Sequence, residues 1–323
     1  MVNKKRTKKV GPHKRSKKNN GVKQLIIKEP LFSDKHMKGK EGEYFDRKDY
    51  NTIVTYDCDG YILKNGKKKL LFKFRKGVIS DTLCKIGIDN LKKAAMKTHD
   101  NRGASAGVID MSKLPTYANE KHQFNKIDKY RIFGYKSKKT GKWVNNSFGN
   151  LSQSNIIGYF DKRDRNLGIN APPCRTTAFT SQQVDKWNNV QPLIKSIDKQ
   201  FKRLVPDKHK IQYKRAHETD QFVIGNTAFS TLTINYNWRT ALHKDAGDLK
   251  EGFGNLVVLE EGNYKGGETG FPQYGVAIDV RNGDFLAMDV HEWHCNTKIT
   301  PISDDYTRLS LVSYLRENMI KCI

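Results

Sequence analysis

The apolar positions change their period along the chain. From Ser80 or Asp81, a capping residue precedes Leu83, Ile86, Ile88, Leu91, Ala94 and Ala95, which predicts a helix to about residue 98. Between Gln183 and Leu204, Val184, Trp187, Val190, Ile194, Ile197, Phe201 and Leu204 recur at helical spacing, and Pro192 predicts a kink or a division there. Further upstream, Leu25–Ile27 and Leu70–Phe74 read as strands, with Asp59-Gly60 and Asn65-Gly66 as turns. Residues 115–180 are polar and turn-rich, with a break at Pro172-Pro173. Beyond the second helix, short apolar runs replace the helical period: Ser230–Trp238, Asn255–Glu260, Val276–Val280, Phe285–Val290 and Arg308–Leu315. Turn segments at Glu261–Gly270 and Arg281–Asp284 separate several of them. Short strands at regular spacing predict a sandwich or jelly roll, and the helices ahead of them predict a layer packed on the sheet. The fold class is therefore mixed α/β (α+β), with a double-stranded β-helix (jelly-roll) core flanked by helices. The core is expected at about residues 228–318 of a domain spanning 81–323. Residues 21–80 read as an N-terminal extension without an assigned role.

Composition adds a partner. The 323 residues carry 59 Lys and Arg against 34 Asp and Glu, a formal net charge of +25. Such an excess favours a phosphate-bearing polyanion. Nine of those cations fall in residues 1–20, which hold no acid. That tail cannot offset its ordering entropy by burial and reads as disordered, a nuclear-import signal or a DNA-binding arm. It implies a nuclear address in a eukaryotic host. The remainder stays basic without it. Mean hydropathy is −0.73, and no apolar run reaches the roughly 18 residues of a membrane span. The charged N-terminus lacks the apolar stretch of a secretory signal. The cysteines, Cys58, Cys84, Cys174, Cys295 and Cys322, are odd in number, widely spaced and free of CxxC. Five free thiols in a reducing compartment are expected.

Common catalytic signatures are missing. No phosphate loop of the GxxxxGK[ST] type occurs, and GFGNLV (252–257) fails GxGxxG. His291-Glu292-Trp293-His294 is one residue short of the helical zinc motif and follows a predicted strand. His243-Lys244-Asp245 remains. In extended chain, residues i and i+2 point to the same side, so His243 and Asp245 can reach one metal ion together. A later histidine, His291 or His294, would complete a two-His, one-carboxylate set. That triad leaves coordination positions open and fits a non-haem Fe(II) oxygenase taking a 2-oxo acid and O2. Arg308, at the start of an apolar strand, suits bidentate anchoring of a distal carboxylate.

On these residues the chain resembles the TET/JBP family of Fe(II)/2-oxoglutarate-dependent nucleobase dioxygenases. The carrying segments are STLTINYNWRTALHKDAGDLKEGFGNLVVL (230–259), GFPQYGVAIDVRNGDFLAMDVHEWHCNT (270–297) and RLSLVSY (308–314), with NRGASAG (101–107), IIGYFD (156–161) and PPCRTTAFT (172–180) upstream. The resemblance covers roughly residues 80–320. It implies Fe(II), 2-oxoglutarate and O2, with His243, Asp245 and His294 as metal ligands and catalytic residues. The segment Cys295-Asn296-Thr297 selects His294 over His291. Arg308 would hold the distal carboxylate of 2-oxoglutarate, and Arg239 either holds its other end or lies at the surface. Tyr314 would stack on the target base, and Asp248 would read its edge. Asn101 and Arg102 would contact base or cosubstrate. Arg316 stands where the family often has a base-contacting His, which puts that contact in doubt.

A methyl group on a base yields only to a strong oxidant, which the cofactor and cosubstrate supply. A base stacked in duplex DNA must be flipped out to reach it, and basic surface would grip the phosphates. An ionised Asp248 accepts from the cytosine amino group and repels thymine O4, which tilts the expectation to 5-methylcytosine in DNA. Thymine hydroxylation of the base J type, a protein hydroxylase and a non-catalytic DNA-binding module are the alternatives. A monomer is expected.

Overall fold

The computed structural model describes residues 21–110, 124–136, 139–161, 174–218 and 220–322. The expected tail over 1–20 and the break at Pro172-Pro173 lie outside the described residues. In chain order the first half contains β1 (Lys23–Ile27), α1 (Asp34–Gly39), β2 (Thr52–Val54), β3 (Cys58–Lys64), β4 (Lys67–Arg75), α2 (Asp81–Ala95), β5 (Thr98–His99), β6 (Phe124–Ile127), β7 (Ile132–Lys136), β8 (Trp143–Phe148) and β9 (Ser152–Asp161). There follow β10 (Cys174–Thr176), α3 (Ala178–Gln182), α4 (Val184–Leu204), α5 (Pro206–Ala216), β11 (Thr231–Tyr236), β12 (Gly254–Glu261) and β13 (Tyr264–Gly266). The chain closes with β14 (Thr269–Phe271), β15 (Val276–Ile278), β16 (Phe285–Met288), β17 (Cys295–Asn296), β18 (Ile299–Pro301) and β19 (Thr307–Tyr314).

Two sheets face each other as a jelly roll. The major sheet runs β1-β3-β4-β16-β12-β19-β11-β9-β10, and the minor sheet runs β17-β14-β15-β2. Strand alternation explains the two sides of the major sheet. Leu232 and Ile234 of β11, Val257 and Leu259 of β12, and Leu309 and Leu311 of β19 join Leu91, Leu193, Ile197 and Phe201 of α2 and α4 in one buried cluster. Leu256 and Val258 of β12, with Leu286 and Met288 of β16, face the other way and pack with Phe271, Val276 and Ile278 of the minor sheet. The helical layer and the sheet sandwich both follow from that alternation. Residues 21–80 supply strands to both sheets: β4 pairs with β16, and β2 pairs in parallel with β15.

Several local expectations change in the structure. Asp59-Gly60 is not a turn but lies inside β3, where the register shifts at Gly60/Tyr61. A Cβ on Gly60 would come within 2.1 Å of the Phe72 ring, so glycine marks a close cross-strand approach. Asn65-Gly66 does form the turn between β3 and β4. Pro192 does not divide α4, which is continuous from Val184 to Leu204. Pro192 and Asn188 lie on the exposed face, so water can satisfy the carbonyl that proline leaves unpaired, while Val190, Leu193, Ile194, Ile197 and Phe201 bury the other face. The polar stretch 115–180 is richer in strand than expected, because β8 and the ten-residue β9 fall within it. Five free thiols are not found either. Cys174 and Cys322 are joined as a disulfide, leaving Cys58, Cys84 and Cys295 free and buried. Topology brings the pair together: β10 lies against β9, and Asn318 in the C-terminal turn donates to Asp161 of β9 at 2.9 Å. No helix among the described residues is long and apolar enough to cross a membrane.

Candidate metal centre

The two halves of the motif meet through backbone. His243 and His294 each donate their N–H to the other's carbonyl at 3.0 Å, and the Asp245 N–H donates to the Val290 carbonyl at 3.0 Å. Their rings lie side by side, with centroids 4.3 Å apart. The Nδ1 of His243 lies 2.8 Å from the Ala241 carbonyl, and that of His294 lies 2.9 Å from the Glu292 carbonyl. A carbonyl only accepts, so each Nδ1 carries the proton and each Nε2 presents its lone pair. The two Nε2 atoms face opposite oxygens of Asp245 at 3.5 and 3.6 Å. Ligand atoms of all three residues lie within 4.8 Å of one another, and this is the one such group of three found among the described residues. Burial, with the second imidazole beside it, pushes the His243 imidazole down to about 4, which keeps it neutral and able to ligate. His291 points elsewhere: its Nε2 is 3.1 Å from the Leu249 carbonyl.

A cavity of about 460 Å³ opens beside this cluster. Its far wall is the inner face of β19, where Arg308, Ser310, Val312 and Tyr314 follow one another at alternate positions. Arg308 is 1% exposed. One of its terminal nitrogens donates to the Gly267 carbonyl at 3.0 Å, and its Nε is buried without a hydrogen-bond partner. No carboxylate among the described residues pairs with it. Its backbone is fixed by Asn237, whose side chain accepts the Arg308 N–H at 2.7 Å. Gly267, at φ +78°, borders the guanidinium, and a Cβ there would stand 3.0 Å from Arg308 Nε.

Of the other expected site residues, Asn101, Arg102, Asp248, Tyr314 and Arg316 all line the cavity, whereas Arg239 does not. The Arg239 guanidinium is committed to the Asn296 and Phe45 carbonyls at 3.1 and 2.8 Å and to Asp46 at 2.9 Å. It supports the loops behind the ligands and does not line the cavity. Arg102 donates to Ser154 at 2.8 Å and lies 5.9 Å from the Trp238 ring. Arg316 is ion-paired with Asp161. The Tyr314 hydroxyl is 3.1 Å from that of Thr233. One Asp248 carboxylate oxygen is buried without a partner, and burial holds this carboxyl well above the usual carboxylate range. Asn296 escaped the sequence reading. It lines the cavity, accepts from Thr240 at 2.7 Å and ties that loop to β14 through Thr269 at 3.3 Å. Its position two residues after a ligand was the available signal.

Residues 155–317 match the Tet_JBP family, the oxygenase domain of the 2OGFeDO superfamily. The chain belongs to the TET/JBP oxygenase family. Members of that superfamily use Fe(II), 2-oxoglutarate and O2. A thymine dioxygenase, JBP1-B of Trypanosoma cruzi, is 37% identical over 174 residues, covering 53% of this chain and 20% of the relative. A bifunctional helicase and thymine dioxygenase, JBP2 of Leishmania braziliensis, is 31% identical over 168 residues, covering 52% of this chain and 15% of the relative. The match thus spans a fifth or less of these relatives' length. Among solved structures, NgTET1 in complex with 5mC DNA is similar over 88% of this chain and 92% of its own, at 11% identity and a TM-score of 0.47. The TET/JBP segment accounts for β11 through β19 and for all three ligand residues, whereas Asn101, Arg102 and residues 21–80 lie outside it.

Proposed function

We propose that this chain hydroxylates the 5-methyl group of thymine in DNA. The observation that carries the choice of base is its similarity, over about half of the chain, to relatives named thymine dioxygenases. The expected tilt to 5-methylcytosine rested on an ionised Asp248. In its buried setting the Asp248 carboxyl is pushed well above the usual carboxylate range, toward the neutral form. A neutral acid offers one O–H and one carbonyl, so it complements thymine O4 and N3–H as well as the cytosine edge. The argument against thymine then weakens, and the similarity to thymine dioxygenases supports thymine.

The residues fit the cofactor and cosubstrate. His243, Asp245 and His294 would hold Fe(II), since two imidazole lone pairs and a carboxylate converge on one point. Arg308, a buried guanidinium with an orphaned Nε, would hold the distal carboxylate of 2-oxoglutarate. Bound there, iron and 2-oxoglutarate supply with O2 an oxidant strong enough for an unactivated methyl C–H bond. The protein's own work is placement and exclusion of water. The carbonyls of Ala241 and Glu292 hold both imidazoles in one tautomer. Tyr314 offers a ring to an everted base, and Asp248 offers its unpaired oxygen to that base's edge. The basic excess of the chain suits a DNA partner, with the tail as an arm.

Nucleoside mass spectrometry tests the reading. Two duplexes, one with thymine as its only 5-methylated base and one with 5-methylcytosine added, are incubated with the protein, Fe(II) and 2-oxoglutarate. The expected product is 5-hydroxymethyluracil from both duplexes, absent with His243→Ala. Conversion of 5-methylcytosine with thymine untouched would overturn the choice of base. Succinate released with a peptide and not with DNA would favour a protein hydroxylase.

A further inference from the structure

The outer wall of the metal centre comes from residues 34–69, upstream of the matched segment 155–317. One oxygen of Asp34, at the start of α1, accepts from Lys244 Nζ at 2.8 Å and from Trp293 Nε1 at 2.8 Å. Lys244 sits between the ligands His243 and Asp245, and Trp293 directly precedes His294. The Lys244 ammonium also lies 4.7 Å from the Trp293 ring. A single carboxylate therefore ties together the two halves of the ligand set. It is held in place by its own helix: Ser33 caps α1, and Met37 is fully buried against Leu242, Trp293 and Cys295. Backbone hydrogen bonds at 2.8 Å, from Gly42 to Leu242 and from Leu242 to Glu43, fasten the following turn to the segment that carries His243.

A second tie reaches His294 from β4. Lys69 Nζ lies 2.8 Å from Asp289 and 2.9 Å from Glu292, two carboxylates whose side chains are 7% and 8% exposed. The Tyr274 hydroxyl donates to the other Glu292 oxygen at 2.8 Å. The Glu292 carbonyl is the group that accepts from His294 Nδ1. Without the ammonium, two buried negative charges would stand in the turn that presents His294, and their desolvation and mutual repulsion would displace it.

We propose that Asp34 and Lys69 are positioning residues of the metal centre: Asp34 sets the distance between its His243–Asp245 half and its His294 half, and Lys69 holds the turn that presents His294. This rests on the Fe(II) reading of that site. Residues that orient metal ligands from outside typically carry about 10–100-fold in metal affinity. The full-length chain is titrated anaerobically with Fe(II) by calorimetry, as wild type and as Asp34→Ala, Asp34→Glu, Lys69→Met and Lys69→Arg. Asp34→Ala and Lys69→Met are expected to weaken Fe(II) binding by about tenfold or more. Asp34→Glu and Lys69→Arg should recover most of the loss. The visible charge-transfer band of the chain loaded with Fe(II) and 2-oxoglutarate should shift in the first pair and return in the second, a change that a general loss of stability would not produce. If Lys69→Met fails to fold, Lys69→Met with Glu292→Gln, which removes one stranded charge, takes its place and should bind more weakly than wild type. Fe(II) affinities within twofold of wild type for both Asp34→Ala and the Lys69 variant would overturn the proposal. A wild-type chain that takes up no Fe(II) would overturn the iron reading itself, and the proposal with it.

Discussion

The cavity has two walls, built by different physics. On β19, Arg308 and Tyr314 project inward while Leu309 and Leu311 between them enter the apolar cluster under α2 and α4. That wall is stiff because a helical layer backs it. The opposite wall carries His243, Asp245 and His294 on chain that makes only bridge-like pairing. It is braced by Asp34, Lys69 and Arg239 through ion pairs and hydrogen bonds. Cosubstrate and base would thus be held by a surface stabilised through burial, and the metal by one stabilised through polar contacts. Substitutions on the two walls should fail in different ways.

The largest effect falls on the metal wall. His243→Ala should reduce turnover to background, while the metal-free chain keeps its far-UV circular dichroism. On the stiff wall, Leu311→Ala should instead cost about 2–5 kcal/mol of stability by urea unfolding, because it empties a position in a packed core. The molecules that remain folded should still bind Fe(II). If Leu311→Ala lost metal affinity at unchanged stability, the division between the walls would be wrong. Arg308→Lys should weaken 2-oxoglutarate binding by roughly 10²-fold, since an ammonium does not replace a buried bidentate fork worth about 1.5–3 kcal/mol per charged hydrogen bond. Part of its turnover should return at high cosubstrate, which equilibrium binding and steady-state kinetics would show together. The smallest effect on turnover is expected for deletion of residues 1–20. DNA affinity measured against salt should show a shallower slope, because fewer counterions are released. Turnover at saturating DNA should stay near wild type.

The stiff wall was the more legible of the two. Alternation at Arg308–Tyr314 and the helical period over Val184–Leu204 report burial, and burial leaves a periodic mark on a sequence. His243 and Asp245 were found because their i, i+2 spacing is itself a geometry, whereas the choice of His294 over His291 needed the family resemblance. The bracing left no such mark. Asp34 and Lys69 are ordinary charged residues in a lysine-rich stretch, and only the pairing of β4 with β16 and the burial of Met37 bring them to the ligands. Arg239 illustrates the converse. The family resemblance left it open between the cosubstrate and the surface, and folding commits its donors to Phe45, Asp46 and Asn296. The Cys174–Cys322 pair, 148 residues apart, depends on where β10 and the C-terminal turn meet, which no local pattern encodes.

The convergence of two imidazoles and one carboxylate on a single ion is tested most directly by iron stoichiometry. Anaerobic Fe(II) loading of wild type, His291→Ala and His294→Ala, followed by metal analysis of the desalted protein, compares the two candidate third ligands. One iron per chain in wild type and His291→Ala, with loss in His294→Ala, is the predicted result. Retention in His294→Ala with loss in His291→Ala would contradict it.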